Sequence, residues 1–224
     1  MTVKLLDQDC DGFTLIELLV VIAVLAVVGG IVVSGVVRAM AASESAEARI
    51  DALTDAQVAV ERMSREIRAS DARDVTGGPL VVAEDRFLVA DVFRDGQWLR
   101  HSYWVDNDGG QARLCADQVV HEDPGSVVPT PETPPSKCGQ TVLRDLDPTS
   151  RPFTYRAKGE SDGDTETLAG VGAGTAVSDD DMSRVLSVEI TIDRPVRDRR
   201  DGDQIQISTR VIMRNACEGG ASTC

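Results

Sequence analysis

Residues 12–37 read GFTLIELLVVIAVLAVVGGIVVSGVV, and this stretch decides the fold. From Phe13 to Val37 the sequence is almost entirely apolar, and roughly 20 such residues suffice to cross a bilayer as a helix. Its single charged residue, Glu17, lies near the start of the run. Because an ionisable side chain is costly in lipid, a carboxylate inside a membrane-length segment indicates a function.

Three ordinary explanations of the apolar segment compete. A secretory signal peptide begins with basic residues and ends at a small-residue cleavage site. Here Lys4 is outnumbered by Asp7, Asp9 and Asp11, and the apolar run is longer than in such peptides. A plain signal anchor fits the length but gives no reason for Glu17. A buried core helix would be neither this long nor this apolar.

The segment from Gly12 to Ile22 resembles the N-terminal signature of type IV prepilins and type II secretion pseudopilins. The resemblance implies that a prepilin peptidase at the cytoplasmic membrane cuts between Gly12 and Phe13 and then methylates the amino group of Phe13. It also implies that Glu17 pairs with the free Phe13 amine of a neighbouring subunit during assembly. A buried carboxylate needs a cationic partner in surroundings of low dielectric constant, so the physics agrees with this role.

The resemblance implies an α+β pilin fold, in which a long N-terminal helix with a membrane-spanning first half packs on an antiparallel β-sheet. Four segments are expected. They are a leader peptide at 1–12, a transmembrane and filament-core helix at 13–37, an amphipathic helix half and exit at 38–78, and an extracytoplasmic sheet domain with disulfide-closed loops at 79–224.

The helix is predicted to continue to about Ser70, because apolar residues recur beyond the membrane segment at steps of three and four. They are Ala46, Ile50, Leu53, Ala56, Val60, Met63 and Ile67. This stripe is expected to pack on the sheet, and Gly77-Gly78-Pro79 is expected to end the helical region.

Strands are predicted over Leu80–Ala83, Arg86–Phe93, Trp98–Val105 and Arg113–Ala116. Turns between them are predicted at Arg94-Asp95-Gly96-Gln97 and Asn107-Asp108-Gly109-Gly110. Their aromatic residues, together with those near residue 154, are expected in the sheet core. These aromatic residues are Phe87, Phe93, Trp98, Tyr103, Trp104, Phe153 and Tyr155.

Two final strands show the period of two that is typical of one buried and one solvated face. The residues expected on the buried face are Leu186, Val188, Ile190, Ile192, Ile205, Ile207, Val211 and Met213. The turn between the two strands, Arg194–Asp203, is expected to be exposed. Asp123–Lys137 is predicted to form a proline-rich loop.

The cysteines indicate an oxidising compartment, because four remain once Cys10 leaves with the leader. Four cysteines allow three pairings, and by sequence proximity we predict Cys115–Cys138 and Cys217–Cys224. Zinc binding is the alternative. It is disfavoured because no histidine lies near and the spacings are not those of zinc sites.

An acidic loop is predicted over Lys158–Asp181, where Asp162, Asp164 and Glu166 alternate as in a calcium loop. The distal glutamate of that pattern is missing, so a solvated loop without metal is the main prediction and calcium the alternative.

The charge and the motifs exclude other classes of function. The net charge of −14 disfavours nucleic acid as a partner, because nucleic-acid binding depends on basic contacts to phosphate. No catalytic motif or cofactor motif occurs, and His101 and His121 are the only histidines, so neither an enzyme nor a cofactor is expected. His101 is expected to lie on a strand.

Three further segments resemble J-type pseudopilins and PilW-like minor pilins: Arg62–Ala69, Tyr103–Leu114 and Ser208–Asn215. The resemblance implies a structural minor subunit of a type IV pilus or a type II secretion-like filament. Its partners would be the peptidase and other pilin or pseudopilin subunits. It would first cross the cytoplasmic membrane once and later join an extracytoplasmic filament. The alternative is a pilin at the filament tip that binds a surface or a substrate.

Overall fold

The computed structural model describes residues 14–70, 80–108, 110–121, 133–158, 165–168, 176–182, 184–195 and 204–213. The contacts divide the chain into two units, Met1–Glu47 and Ala48–Cys224. The helices are α1 (Leu15–Arg68) and α2 (Asp179–Met182). The strands are β1 (Leu80–Ala83), β2 (Phe87–Arg94), β3 (Gln97–Asp108), β4 (Gln111–His121), β5 (Gln140–Leu146), β6 (Phe153–Lys158), β7 (Thr165–Thr167), β8 (Val185–Pro195) and β9 (Gln204–Ile212).

The strands form two antiparallel sheets, one of five strands in the order β1-β2-β3-β4-β5 and one of four in the order β7-β6-β8-β9. The predicted α+β class is therefore confirmed, with two sheets where one was expected. The predicted turn between β2 and β3 is also present. It places Asp95 and Gly96 at φ values of 54° and 80°, as a tight hairpin turn requires.

The end of α1 lies near the position predicted from its sequence. After Arg68 the chain turns, and Ser70 forms an isolated bridge with Val92 of β2. The Ser70 hydroxyl donates to the Ile67 carbonyl at 2.7 Å, which satisfies one of the open carbonyls that every helix end leaves. The Gly77-Gly78-Pro79 sequence lies outside the described residues.

The main core lies between α1 and both sheets. Six α1 residues are buried: Ala52, Ala56, Ala59, Val60, Met63 and Ile67. The expected stripe was wrong at its start, because Ile50 is 62% exposed. The first sheet contact of the helix is instead Ala52 against Ile205 of β9. Periodicity identified the face of the helix but not the point at which the sheet begins to cover it.

The alternation predicted for β8 was also wrong at its start. Val185 is buried and Leu186 is only partly buried, whereas Val188, Ile190 and Ile192 are buried as expected. The register with β6 shifts here, since Arg156 pairs with Ser187 and the next residue, Ala157, pairs with Val185. Leu186 is thus the extra residue of a β-bulge, and a bulge reverses which residues face the core.

Three smaller expectations were wrong. Phe93 is 48% exposed rather than in the core, although its ring contacts that of Trp98 with centroids 5.2 Å apart. The segment 158–181 is not only loop, because it contains β7 and the start of α2. Arg194 lies in β8 and not in an exposed turn.

Candidate functional site

The start of α1 positions the one carboxylate of the apolar segment. Thr14 precedes the helix, and its Oγ1 accepts a hydrogen bond from the Glu17 backbone N–H at 3.3 Å. Thr14 is therefore the N-cap and Glu17 the third helical residue, the spacing of a capping box. A carboxylate in the first turn also interacts favourably with the helix dipole. The predicted processing residues, Gly12 and Phe13, lie outside the described residues.

The surface around Glu17 is apolar on every side. Every residue from Leu15 to Val37 is exposed, and α1 is the one helix of the described residues long and apolar enough to cross a membrane. The hydroxyl of Ser34 is paired locally, because it donates to the Ile31 carbonyl at 2.9 Å. An exposed apolar surface this large must be covered by lipid or by other proteins.

Residues 8–33 match the model of one protein family, the prokaryotic N-terminal methylation motif. The chain carries a prepilin-type N-terminus. This is consistent with the superfamily of type IV pilins and pseudopilins, and it implies processing by a prepilin peptidase and assembly with other pilins. No curated protein and no solved structure matches the chain. The likeness to J-type pseudopilins and PilW-like pilins stays a prediction.

The prepilin-type helix and its apolar surface together indicate single-pass membrane anchoring. The capping position of Glu17 is a structural role that the sequence analysis missed. A signal was present, since Thr14-Leu15-Ile16-Glu17 has the Ser/Thr-x-x-Glu spacing of a capping box. Capping and assembly are compatible, because the cap uses the Glu17 backbone N–H and leaves the carboxylate free to meet an amine.

A second polar site joins the last turns of α1 to β3. Glu66 Oε2 lies 3.0 Å from His101 Nδ1 and accepts a hydrogen bond from the Tyr103 hydroxyl. Glu66 Oε1 accepts a hydrogen bond from Arg62 Nε at 3.3 Å. His101 lies in a strand as predicted, and its side chain is buried there. Because His101 and Tyr103 are two residues apart, they face the same side of the sheet, and this spacing was the available signal.

The partners of Glu66 control its ionisation. Burial raises the pKa of this carboxyl, but the hydrogen bonds from His101 and Tyr103 and the charge of His101 outweigh it, so the pKa falls from 4.5 to about 2. The pKa of Tyr103 is raised by burial and by its bond to the carboxylate. Glu66 is thus a carboxylate held ionised at the helix–sheet interface, where it fixes the helix to the sheet.

A second charged contact fixes α1 nearer its entry into the domain. Arg194 Nη1 donates to the Ala52 carbonyl at 3.3 Å and lies 3.2 Å from Asp55 Oδ2. Its other nitrogen, Nη2, lies 3.8 Å from Asp145 Oδ2. Asp145 has a positive φ of 58° and lies at a register irregularity between β4 and β5. The contacts of Arg194 and Glu66 therefore lie near the two ends of the buried face of α1.

The structure contains the Cys115–Cys138 disulfide, with Cα atoms 5.3 Å apart and a sequence separation of 23. It packs with Phe87, Val89 and Trp104 on the face of the five-stranded sheet that points away from α1. Cys217 and Cys224 lie outside the described residues, so their pairing stays a prediction.

The described residues contain no cluster of three or more side chains able to bind a metal ion. Of the candidate calcium residues, Glu166 lies in β7, whereas Asp162 and Asp164 lie outside the described ranges. A calcium loop therefore stays untested. The open pocket beside Glu66 and His101 has a volume of about 240 Å³, and Arg62, Asp117 and Gln140 also line it.

Proposed function

We propose that this chain is a structural minor subunit of a type IV pilus or a type II secretion-like filament. In this proposal a prepilin peptidase cuts between Gly12 and Phe13 and methylates Phe13. The apolar part of α1 then holds the chain in the cytoplasmic membrane before it enters the filament. Glu17 accepts the amine of a neighbouring subunit's Phe13.

One observation carries the proposal. The methylation motif at residues 8–33 coincides with a helical segment whose apolar side chains are exposed on all sides. A plain anchor would need the apolar surface but not the carboxylate. A filament subunit uses both, because the ion pair between Glu17 and an incoming amine compensates for removing each charge from water. The pairing of Glu17 with this amine would fix the position of an incoming subunit along the filament axis. Contacts between apolar helices alone would let the subunit shift along that axis.

A minor subunit fits the outward domain better than a major one. The domain is sizeable and has two sheets, and such a domain would pack poorly in a filament made of thousands of identical copies. A tip subunit that binds a surface or a substrate is the second candidate. It would share the same N-terminal assembly mechanism.

The experiment for the proposal compares Glu17→Gln with the wild-type chain in cells that assemble the filament. Glu17→Gln retains the backbone cap and the side-chain shape but removes the charge. We expect normal membrane insertion and N-terminal processing but a loss of filament incorporation of about tenfold or more, because the incoming amine would lack its counter-charge. Mass spectrometry of the mature chain should show methylated Phe13 at its N-terminus.

The matched control is Thr14→Ser, which keeps the N-cap hydroxyl and leaves the charge untouched. This variant should assemble as the wild type does. Normal incorporation of Glu17→Gln would contradict the pairing role, and a mature N-terminus at any residue other than Phe13 would contradict the processing step.

A further inference from the structure

The chain that follows the Cys115–Cys138 disulfide reaches the pocket beside Glu66 and His101. Two residues just after Cys138, Gly139 and Gln140, line that pocket together with Glu66 and His101. We propose that the disulfide holds residues 138–142, called the strap below, against β4 and so supports the Glu66–His101 contact. The last turns of α1 are then fully anchored to the sheet only when the two cysteines are oxidised. This coupling does not depend on the proposed function.

The ladder between β4 and β5 holds the strap weakly. It consists of four residue pairs, and its register shifts twice. The seven residues of β5 span only the stretch from Ala112 to Ala116 of β4, so β5 carries extra residues that disrupt the ladder. Burial does not compensate for this in the first half of β5. Leu143 and Leu146 are buried in the main core, whereas the side chains of residues 140–142 are exposed or half-buried.

The disulfide ties the strap to a rigid part of the sheet. Cys115 is fully buried, so Cys138 is bonded to a side chain that packing already fixes. The connection from the end of β4 at His121 to the start of β5 at Gln140 is long, and closing it costs conformational entropy. A disulfide at its base reduces that cost. Forming the bond removes two electrons and two protons from the two thiols, and a disulfide oxidant accepts them as it is reduced to two thiols.

Gly139 brings the backbone of the strap unusually close to β4. A Cβ atom at this position would lie 3.0 Å from Asp117 Oδ1 and 3.3 Å from the Ala116 carbonyl oxygen. Both distances are shorter than ordinary van der Waals contacts of a Cβ, so a side chain here would crowd the backbone of β4. The close approach shows that the strap is seated on β4 while the disulfide is present.

The strap lies beside the residues that anchor α1. Tyr103 pairs with Ala116, and Ala116 pairs with Gln140, so the three residues form one row across β3, β4 and β5. Paired residues of antiparallel strands share a face of the sheet. The Tyr103 hydroxyl donates to the Glu66 carboxylate on this face. If the strap left β4, water would take its place beside Glu66, and the contacts of this carboxylate would weaken in more polar surroundings.

A double-mutant cycle separates this coupling from the general effect of a cross-link. A disulfide that acts only by restricting the unfolded chain stabilises the wild type and Glu66→Gln by the same factor. The proposal requires the two effects to depend on each other. The cysteines are replaced by alanine, as Cys115→Ala with Cys138→Ala, because a serine hydroxyl at the fully buried position 115 would add an unsatisfied polar group.

The measurement is denaturant unfolding of the full chain in detergent, with and without the disulfide. In the chain with the disulfide, Glu66→Gln should lower the equilibrium constant for folding by about fivefold or more. In the chain without it, the same substitution should lower the constant by less than about twofold. The control Glu61→Gln, at an exposed position of the same helix, should change it by less than about twofold in both chains. Equal factors for Glu66→Gln in the two chains would overturn the inference.

Residue-resolved hydrogen exchange of the folded chains tests the strap itself. Without the disulfide, the amides of residues 140–142 should exchange at least about tenfold faster, whereas those of Leu143, Leu146 and Tyr103 should change much less. Unchanged exchange in the strap would overturn the inference. Equal acceleration of both sets would also overturn it, because it would show a general loss of stability.

Gly139→Val provides the test if the chain without the disulfide does not fold. This variant keeps both cysteines, and its side chain should push the strap away from β4. We expect faster exchange at residues 140–142 and a smaller effect of Glu66→Gln, as in the chain without the disulfide. Faster exchange in the strap with an undiminished effect of Glu66→Gln would contradict the coupling. Unchanged exchange would contradict the close seating of the strap on which the coupling rests.

Discussion

The contact of Glu66 with β3 allows a quantitative prediction about pH and stability. The carboxyl has its ordinary pKa of 4.5 in the unfolded chain and about 2 in the folded chain. Because the folded pKa is lowered, the folded state gains stability when the group is ionised. This gain is fully present above pH 4.5 and is lost as the pH falls toward 2.

The magnitude follows from the same values. One pKa unit corresponds to about 1.4 kcal/mol, so the full difference would correspond to about 3 kcal/mol. The Glu66 side chain is 22% exposed, and solvent screens its interactions. We therefore expect Glu66→Gln to lower the free energy of unfolding by about 1–2 kcal/mol at pH 7.

The assay is denaturant unfolding of the full chain in detergent, followed by the fluorescence of Trp98 and Trp104. Both tryptophans are buried in the sheet domain, so the signal reports the unfolding of that domain. The difference in the free energy of unfolding between the wild type and Glu66→Gln should be present at pH 5 and should shrink as the pH approaches 2. Comparing the two variants at each pH removes the contribution of titrating groups that do not interact with Glu66.

The matched control is Glu61→Gln. Glu61 also pairs with an arginine four residues away, Arg65 at 3.2 Å, but its side chain is 75% exposed. Its replacement should change the free energy of unfolding by less than about 0.5 kcal/mol at any pH. Equal effects of the two variants, or a Glu66→Gln effect that does not decrease in acid, would refute the role assigned to the buried contact.

Two further predictions concern the core and the disulfide. Met63→Ala should lower the free energy of unfolding by about 2–5 kcal/mol, because Met63 is fully buried, whereas Val58→Ala on the exposed side of the helix should cost under about 0.5 kcal/mol; similar losses for both in denaturant unfolding would refute the packing of α1. Replacing Cys115 and Cys138 together by serine should cost about 2–4 kcal/mol, since the loop they close spans 23 residues. A reducing agent should lower the wild-type stability by at least this amount, and no change would contradict a structural role for this bridge.

Much of the fold could be predicted from local sequence. The apolar run, the stripe from Ala56 to Ile67 and the alternation within β9 each follow from a period that a helix or a strand imposes on its own residues. The hairpin turn at Asp95-Gly96 followed from residues suited to positive φ. The candidate assembly residue Glu17 followed from the cost of a charge in an apolar segment.

What the sequence could not supply depends on contacts between distant segments. Ile50 obeys the helix period but lies before the first sheet contact, so the tertiary structure leaves it exposed. The bulge at Leu186 changes which side chains at the start of β8 face the core, and the local sequence pattern does not predict it. Glu66 and His101 come together only because α1 crosses β3, and Arg194 meets Asp55 only because β8 passes under the same helix.

The sequence by itself therefore determined the membrane-length helix, its methylation motif and most of the strands that follow. These features depend on the period of apolar residues and on the cost of exposing them to water, and both are set by residues close together in sequence. The tertiary structure alone decided which side chains fix the helix to the sheets and which described strands lie at the edge of each sheet. Those properties depend on the order of strands within each sheet, and that order is set by packing over the whole domain.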